Sequence, residues 1–325
     1  MSNTRFLGCA VLVAALAYGA AVAVHNSYVF FAGYVVLQYI VLATAWNVLG
    51  GYTGYVNFGV AGFFALGAYC SVALVKLLPG LPIPAMMLAG AFVSGVVGLG
   101  MGWLTLRLRG AYFSIATLAM AVVLQTLMVN WEYVGGSGGA YTMRPQRAPF
   151  FGLDYIQYLF LLMLALAVSA VCIARTIERS RLGRGLAAIR DDELAAEASG
   201  VPSLRLKLAA TALSGALMGM AGAPLPFYVT YLDPTSAFSL SYAVNSIAMP
   251  LIGGTASWAG PVIGAVLLGT LQQVATVTIS SALNLLIVGV LLVVFVVAAP
   301  NGIIGLSGRR ATAPRLRRFL APGRP

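Results

Sequence analysis

Charged residues are scarce in this sequence. Only 8% of its 325 residues are Asp, Glu, Lys or Arg, while 60% are hydrophobic and the mean hydropathy is +0.93. Soluble domains carry roughly 25% charged residues, so lipid must surround most of this chain. Its apolar runs reach about 20 residues, the length that an α-helix needs to cross a bilayer core, and they lack the alternation of a β-barrel. The sequence therefore predicts an all-α, polytopic transmembrane helical bundle.

Residues that form metal sites and catalytic centres are also scarce. The sequence has one histidine, His25, and its three cysteines lie far apart within apolar runs. These numbers exclude multi-histidine metal sites and leave little room for a Ser/His/Asp triad. The G-x-x-x-x-G-K-[ST] loop that holds nucleotide phosphates is missing as well. We therefore predict no catalytic residue, no metal and no cofactor in this chain, and an outside source of energy for any uphill transport.

The apolar runs predict about ten membrane spans. No Asp, Glu, Lys or Arg falls in the middle of any of them, which argues against a proton relay or a voltage sensor. The first run is predicted to be a retained helix within residues 1–24, because it is longer than the apolar core of a signal peptide, and cleavage after the AVA before Val24 is the alternative. The remaining spans lie near residues 28–50, 56–78, 84–106, 111–131, 155–174, 207–230, 239–254, 259–278 and 281–299.

The distribution of basic residues predicts the orientation. The net charge of +11 would suggest nucleic acid in a soluble protein, but basic residues also collect on the cytoplasmic side of membrane helices. If the N-terminus lies in the cytoplasm, the only basic residues on the outer side of the membrane are Lys76, Arg144 and Arg147. We predict cytoplasmic termini and no nucleic-acid partner, with a transmembrane domain over residues 1–308 and a basic tail over residues 309–325.

One stretch, residues 175–207, interrupts the apolar pattern and is called the charged segment below. If residues 185–201 form one helix, Arg190, Glu193 and Glu197 share a face with Leu186. Two interpretations remain open: the segment docks in the groove of a soluble partner, or it is a solvated loop whose arginines only enforce topology.

Two uncharged stretches, residues 50–59 and 252–261, are rich in glycine. Each glycine weakens a helix by about 1 kcal/mol relative to alanine. In membranes, glycines permit close helix packing or a helix break whose backbone groups face a cavity. Asn57 would be costly against lipid and should face protein or water. Packing and pathway lining both remain open for these stretches.

Four stretches resemble blocks of the branched-chain amino acid ABC importer permeases, of which the LivM type is the closer branch. They follow the family order over about residues 50–305, and the third matches the pattern G-R-x-L-x-A-I-R-x-D-E-x-A-A-E-x-x-G-[IV]. The stretches are GGYTGYVNFGVAGFFALGAY, RGAYFSIATLAMA, GRGLAAIRDDELAAEASGVPSLRLKLAATALSGALMGMAGA and LIGGTASWAGPVIGA.

The resemblance implies an assembly in a bacterial inner membrane. It implies a second, homologous permease subunit, two cytoplasmic ATP-binding subunits and a periplasmic solute-binding protein. It also makes the charged segment the ATPase-coupling element, comparable to the EAA loop of ABC importers. With Leu186 added from helical spacing, the predicted coupling residues are Gly183, Arg184, Leu186, Arg190, Glu193, Glu197 and Gly200.

The glycine-rich stretches supply the predicted substrate pathway. In the first, many family members carry a Ser and a His where this chain has Asn57 and Val60, which leaves the exact solute open. The predicted pathway residues are Thr53, Asn57, Phe58, Gly59, Gly253, Gly254 and Thr255.

The sequence thus predicts the transmembrane permease subunit of an ATP-binding cassette importer. It would move branched-chain or related amino acids inward by alternating access, driven by partner ATPases. The alternative is a passive channel for a small neutral solute such as urea or an amide. A secondary transporter fits less well, because the spans lack charged residues at their centres.

Overall fold

The computed structural model describes residues 3–24, 26–108, 110–143, 154–278 and 302–308, with isolated helical positions at 286, 289–290 and 293–294. It confirms an all-α membrane bundle, to which two short strands are added. The helices are α1 (Asn3–Ala23), α2 (Ser27–Thr53), α3 (Val60–Leu77), α4 (Ile83–Thr105), α5 (Ala111–Val129), α6 (Tyr155–Arg179), α7 (Arg181–Asp191), α8 (Glu193–Ala198), α9 (Ser203–Gly222), α10 (Leu225–Val229), α11 (Pro234–Ala237), α12 (Leu240–Gly253), α13 (Ala259–Thr278) and α14 (Gly302–Gly308).

Eight segments of the described chain are long and apolar enough to cross a membrane, one of them formed by α9 and α10 together. The predicted span at 239–254 is α12, whose 14 residues include Pro250. A helix of that size is about 21 Å long, so it falls short of the bilayer core. The predicted span at 281–299 lies outside the described residues except for isolated positions, and the predicted tail at 309–325 lies outside them entirely.

The core is built around α2, which is buried along most of its length and packs against α6, α9, α12 and α13. On its other side α9 lies in close contact with α3 and α4. Glycines permit this approach: a Cβ atom added to Gly67 of α3 would overlap the carbonyl of Gly219 in α9. Small residues at helix crossings are the usual route to tight packing in membranes.

The two ends of the bundle differ in chemistry. At the hairpin end, β1 (Ala140–Tyr141) pairs antiparallel with β2 (Tyr231–Leu232). Lys76, near the last residue of α3, donates there to the Tyr133 carbonyl over 2.7 Å. At the opposite end, where α3 begins, lie α7 and α8 with most of the acidic and basic residues of the charged segment. We call this the charged end.

The structure corrects one expectation for the charged segment. Residues 185–201 do not form one helix, because α7 ends at Asp191 and α8 begins at Glu193. Asp192 between them is extended, with φ −159° and ψ 110°, and its carboxylate caps α8 by accepting the Ala195 N–H over 3.0 Å. Side-chain capping of this kind favours a new helix start over continuation. Arg190 and Glu193 therefore do not share one helical face.

Candidate functional site

The charged segment forms a platform on the ends of the membrane helices. The inner faces of α7 and α8 pack into a hydrophobic cluster with residues from α2, α4, α5, α6 and α9. Leu186 and Ile189 are buried in this cluster. Gly183 is also buried, and a Cβ atom there would overlap the Ile177 carbonyl at the end of α6. Gly183 and Leu186 thus hold the platform to the bundle and do not present it outward.

Other predicted coupling residues lie on the outer surface of the platform. Arg184, Arg190, Glu197 and Gly200 are exposed, and Leu194 beside them exposes 63% of its surface. Gly200 has φ +87°, a backbone conformation that side chains other than Gly rarely adopt. The outer face is therefore a charged surface with one protruding apolar side chain.

A groove of about 490 Å³ crosses this face between α7 and the turn that leads into α9. Arg181 and Arg184 line it on one side, with Gly200 and Leu206 on the other. It combines exposed guanidinium groups with an apolar floor. Such a surface suits an element of a partner protein that carries acidic and apolar side chains.

Arg190, Glu197 and Gly200 are exposed, whereas Glu193, which lies between them in sequence, turns its side chain inward. Its Oε1 accepts from Lys207 Nζ over 2.7 Å, and its Oε2 accepts from the Tyr55 hydroxyl over 2.6 Å. Lys207 Nζ also donates to the Tyr55 hydroxyl oxygen over 3.1 Å. Side-chain exposure is 3% for Lys207 and 15% for Glu193. Three elements that are distant in sequence thus meet at one small polar cluster.

The first glycine-rich stretch contains a true helix break, residues 54–59, which we call the first break. Gly54 ends α2 with φ +77°, and its N–H donates to the Gly50 carbonyl. Side chains then bind the backbone. Trp46 Nε1 donates to the Asn57 carbonyl over 2.9 Å. Two hydroxyls of α5 complete the set: Ser114 donates to the Val56 carbonyl, and Thr117 accepts the Phe58 N–H.

Asn57 is buried in the first break, with 1% of its surface exposed. Its Oδ1 accepts the Gly59 N–H over 2.7 Å. Its Nδ2 has no hydrogen-bond partner within the described chain. Thr53, one turn from the end of α2, uses its hydroxyl to bind the Leu49 carbonyl. A buried amide donor without a partner is uncommon.

The second glycine-rich stretch contains the second break, residues 254–258 between α12 and α13. Here backbones touch each other directly. A Cβ atom added to Gly253 would overlap the Gly260 carbonyl, and one added to Gly260 would overlap the Gly254 carbonyl. Gly302, the first residue of α14, packs on the same corner against Gly254. The Trp258 N–H donates to Glu178 Oε2 of α6 over 2.8 Å.

The first break follows the last turn of α2, and the second break packs against that turn. A Cβ atom on Gly51 would lie 3.0 Å from the Thr255 carbonyl oxygen, which places the second break against α2. The structure thus brings all seven predicted pathway residues to one region at the charged end. It places Gly253 and Gly254 in backbone packing, whereas Asn57 is the one residue of the seven with a buried polar atom that has no partner among the described residues.

Several residues that shape the site were missed from the sequence. Tyr55 lies inside the first glycine-rich stretch and Lys207 closes the charged segment, but neither position signals that they meet Glu193. Ser114 and Thr117 lie three residues apart in the stretch RGAYFSIATLAMA. This helical spacing is the one feature of the sequence that indicates a common binding partner for the two hydroxyls. The sequence assigned Glu178 no role beyond its place in the charged segment, but it lies on α6 and binds the second break.

A cavity larger than the groove on the platform lies elsewhere. It measures about 890 Å³ and runs between α1, α2, α6 and α13, with walls that are almost entirely apolar. A charged or zwitterionic solute needs polar partners when it leaves water, so this cavity does not suit one. Among the described residues, no three His, Cys, Asp or Glu side chains meet in a way that could hold a metal ion.

Comparisons with known proteins agree with this architecture. A family model described as "Branched-chain amino acid transport system / permease component" matches residues 27–296. No solved structure matches the chain.

Three relatives illustrate the similarity. The branched-chain amino acid permease protein LivM of Salmonella typhimurium is 29% identical over 293 residues, covering 83% of this chain and 68% of LivM. LivM of Escherichia coli is 28% identical over the same shares. The probable branched-chain amino acid permease protein LivH of Methanocaldococcus jannaschii is 24% identical, covering 78% of this chain and 84% of LivH.

The matched region extends from α2 past the end of α13 and includes both breaks and the platform. The chain therefore belongs to the family of permease components of branched-chain amino acid transport systems.

Proposed function

We propose that this chain is the permease subunit of an ATP-driven importer that carries branched-chain amino acids, or closely related ones, into the cytoplasm. Family membership and the names of its relatives support the solute class. The observation that carries the proposal is the platform: charged, exposed helices α7 and α8 are packed through Leu186 and Ile189 onto the ends of the membrane helices. A force applied to this surface reaches the bundle directly.

The outer face of the platform is the docking surface for ATP-binding subunits. It comprises Arg184, Arg190, Leu194, Glu197 and Gly200, all of which are exposed. Leu194 supplies an apolar anchor, and the charged neighbours supply orientation. The assembly contains two such ATP-binding subunits, a second homologous permease and a periplasmic binding protein. The platform faces the cytoplasm of a bacterial inner membrane, and both termini lie on that side.

The solute pathway passes the first break. The Nδ2 atom of Asn57, which has no partner among the described residues, is the neutral polar group offered to a zwitterion, in the way that discontinuous helices serve other transporters. ATP-driven closure of the partner subunits moves the platform and alters the packing around both breaks. The permease domain extends through α14, with the basic tail beyond it at the cytoplasmic surface.

Replacement of Glu197 by Ala tests the docking surface. Glu197 is exposed, so its loss should change folding stability by less than about 0.5 kcal/mol. Uptake should fall by roughly fivefold or more if the contact transmits coupling energy. The measurement is ATP-driven uptake of radiolabelled leucine by the complete importer in proteoliposomes, with membrane insertion checked in parallel. Gly200→Val, which forces a side chain into φ +87°, should have the same effect.

Glu132→Ala at the hairpin end is the matched control, because Glu132 is an exposed acid far from the platform. It should transport like the unchanged protein. Full uptake by the Glu197 and Gly200 variants would remove the platform from the mechanism. Leucine uptake at an equal rate without the ATP-binding subunits would point to a passive channel instead.

A further inference from the structure

A buried lysine at the start of α9 has its donors directed to protein atoms on three other elements. Lys207 Nζ binds Glu193 Oε1 over 2.7 Å, the Tyr55 hydroxyl over 3.1 Å and the Leu106 carbonyl over 3.5 Å. These partners belong to α8, the first break and the end of α4. Only 2% of the residue is exposed. The contacts account for the three hydrogens of an ammonium group.

A lysine whose only role was to fix the membrane orientation of the chain would not be buried with three protein acceptors. Long basic side chains near a membrane surface normally extend their charge into water, as the exposed Arg181, Arg184 and Arg190 of the same segment do. Lys207 turns into the protein instead. Burying an ion pair gains little stability over apolar residues of similar size. The arrangement therefore points to a role in holding one particular geometry.

Tyr55 joins this ion pair to the first break. Its hydroxyl donates to Glu193 Oε2 over 2.6 Å, and its ring lies edge-on to Phe113 of α5 with centroids 5.1 Å apart. Tyr55 follows Gly54, where an added Cβ atom would lie 3.4 Å from Arg190 Cγ, and precedes Asn57 by two residues. A shift of Glu193 must therefore move the backbone that carries Asn57, or else break hydrogen bonds in a buried site.

We propose that Lys207 and Tyr55 are positioning residues that transmit the movement of α8 to the first break. This inference rests on the proposed function, since it names the internal route from the docking surface to the solute pathway. Glu193 thus acts inside this subunit and not as a contact to the ATP-binding partner. The second break has no part in this cluster.

The first experiment replaces both charges with apolar side chains of similar length, Lys207→Met together with Glu193→Met. Because neither charge is left unpaired, the protein should still fold and insert. In the complete importer in proteoliposomes, ATP hydrolysis should continue while leucine taken up per ATP falls by about tenfold. Lys76→Met is the matched control: Lys76 also binds a carbonyl and lies over a tyrosine ring, but at the hairpin end. It should leave that ratio unchanged.

The second experiment measures amide hydrogen exchange of the same protein in lipid nanodiscs, with its partner subunits and without nucleotide. Exchange at residues 55–59 should rise by about tenfold in the double variant, because the break loses its tie to α8. Exchange at residues 254–258 should stay as in the unchanged protein.

The outcomes separate the inference from the proposed function. If the unchanged importer shows no ATP-driven leucine uptake, the proposed function fails while the exchange measurement still tests the link. If the double variant keeps its uptake per ATP within twofold, a threshold below the usual size of allosteric coupling, the transmission role is overturned. Unchanged exchange at residues 55–59 would overturn the mechanical link itself.

Discussion

The two helix breaks at the charged end are held in opposite ways. In the first break, side chains bind the backbone: Trp46, Ser114 and Thr117 each satisfy one main-chain group. In the second break, Gly253, Gly254 and Gly260 pack carbonyl against Cα with no side chain between them, and Glu178 binds the N–H of Trp258 beside this contact. Both solve the problem that free backbone groups are costly inside a membrane.

The difference indicates which break can move. Hydrogen bonds from separate side chains can be exchanged one at a time, and Tyr55 adds a connection to α8. Backbone packing without side chains has few alternative arrangements, because any shift opens a void or creates an overlap. We infer that the first break is the moving part of the pathway and the second break is the fixed corner on which α12 and α13 turn.

The largest expected effect comes from adding one methyl group to the fixed corner. Gly253→Ala would place its Cβ against the carbonyl of Gly260, and backbone cannot rotate away as a side chain can. We expect a loss of more than about 3 kcal/mol in stability, measured as a lower thermal midpoint and a lower yield of monodisperse protein in detergent.

Gly100→Ala in α4 is the matched control for this substitution. Nothing lies within 4 Å of a Cβ atom there, and alanine favours a helix over glycine by about 1 kcal/mol. Its thermal midpoint should be equal or higher. A Gly253→Ala protein as stable as the control would show that the corner can yield, and the contrast between the breaks would disappear.

A smaller effect is expected from one hydroxyl of the moving break. Thr117→Val keeps the shape of a fully buried side chain but leaves the Phe58 N–H without its acceptor. A lost hydrogen bond of this kind costs about 1–3 kcal/mol. The same substitution in the other break, Thr255→Val, is the internal comparison. The Thr255 hydroxyl makes no hydrogen bond in the described part of the chain, so the stability of the Thr255→Val protein should differ from that of the unchanged protein by less than about 0.5 kcal/mol.

The thermal midpoints of both valine variants measure this difference. An equal loss in the two would mean that hydroxyls support both breaks alike. A loss only at Thr255 would reverse the assignment of moving and fixed parts.

Much of the fold followed from composition, because apolar run length alone defines a membrane helix. The span at 111–131 corresponds to α5 (Ala111–Val129), and the membrane family was evident from its motifs. The prediction was less accurate where a segment is apolar enough for a membrane span but its helix is too short to cross the bilayer. Residues 239–254 are apolar enough for a span, yet they form a 14-residue helix that ends at the glycine corner.

The site was harder to predict, because its contacts join residues that are far apart in sequence. Glu193 and Lys207 are 14 positions apart and Tyr55 is 138 positions from Glu193. Helical spacing grouped Glu193 with Arg190 and Leu186 on one helical face, but α7 ends before Asp192, which caps a new helix, and Glu193 turns inward. Local patterns report which residues can share a face, whereas a single extended residue between two helices changes that relation.

A stability effect smaller than that of Thr117→Val is expected at Asn57, whose replacement separates packing from pathway lining. Asn57→Ser keeps a side-chain oxygen that can accept the Gly59 N–H, as serine does in local turns. It removes the Nδ2 donor, which has no partner in the described structure. Loss of an unsatisfied donor costs little, so we expect stability to stay within about 1 kcal/mol. Leucine uptake and competition by other small amino acids should nonetheless change, because the solute loses the free amide. Asn57→Leu, which also removes the acceptor for Gly59, should destabilise the break and change uptake together. An Asn57→Ser importer with an unchanged competition profile would assign Asn57 to packing, and the moving break would then guide the solute through its backbone alone.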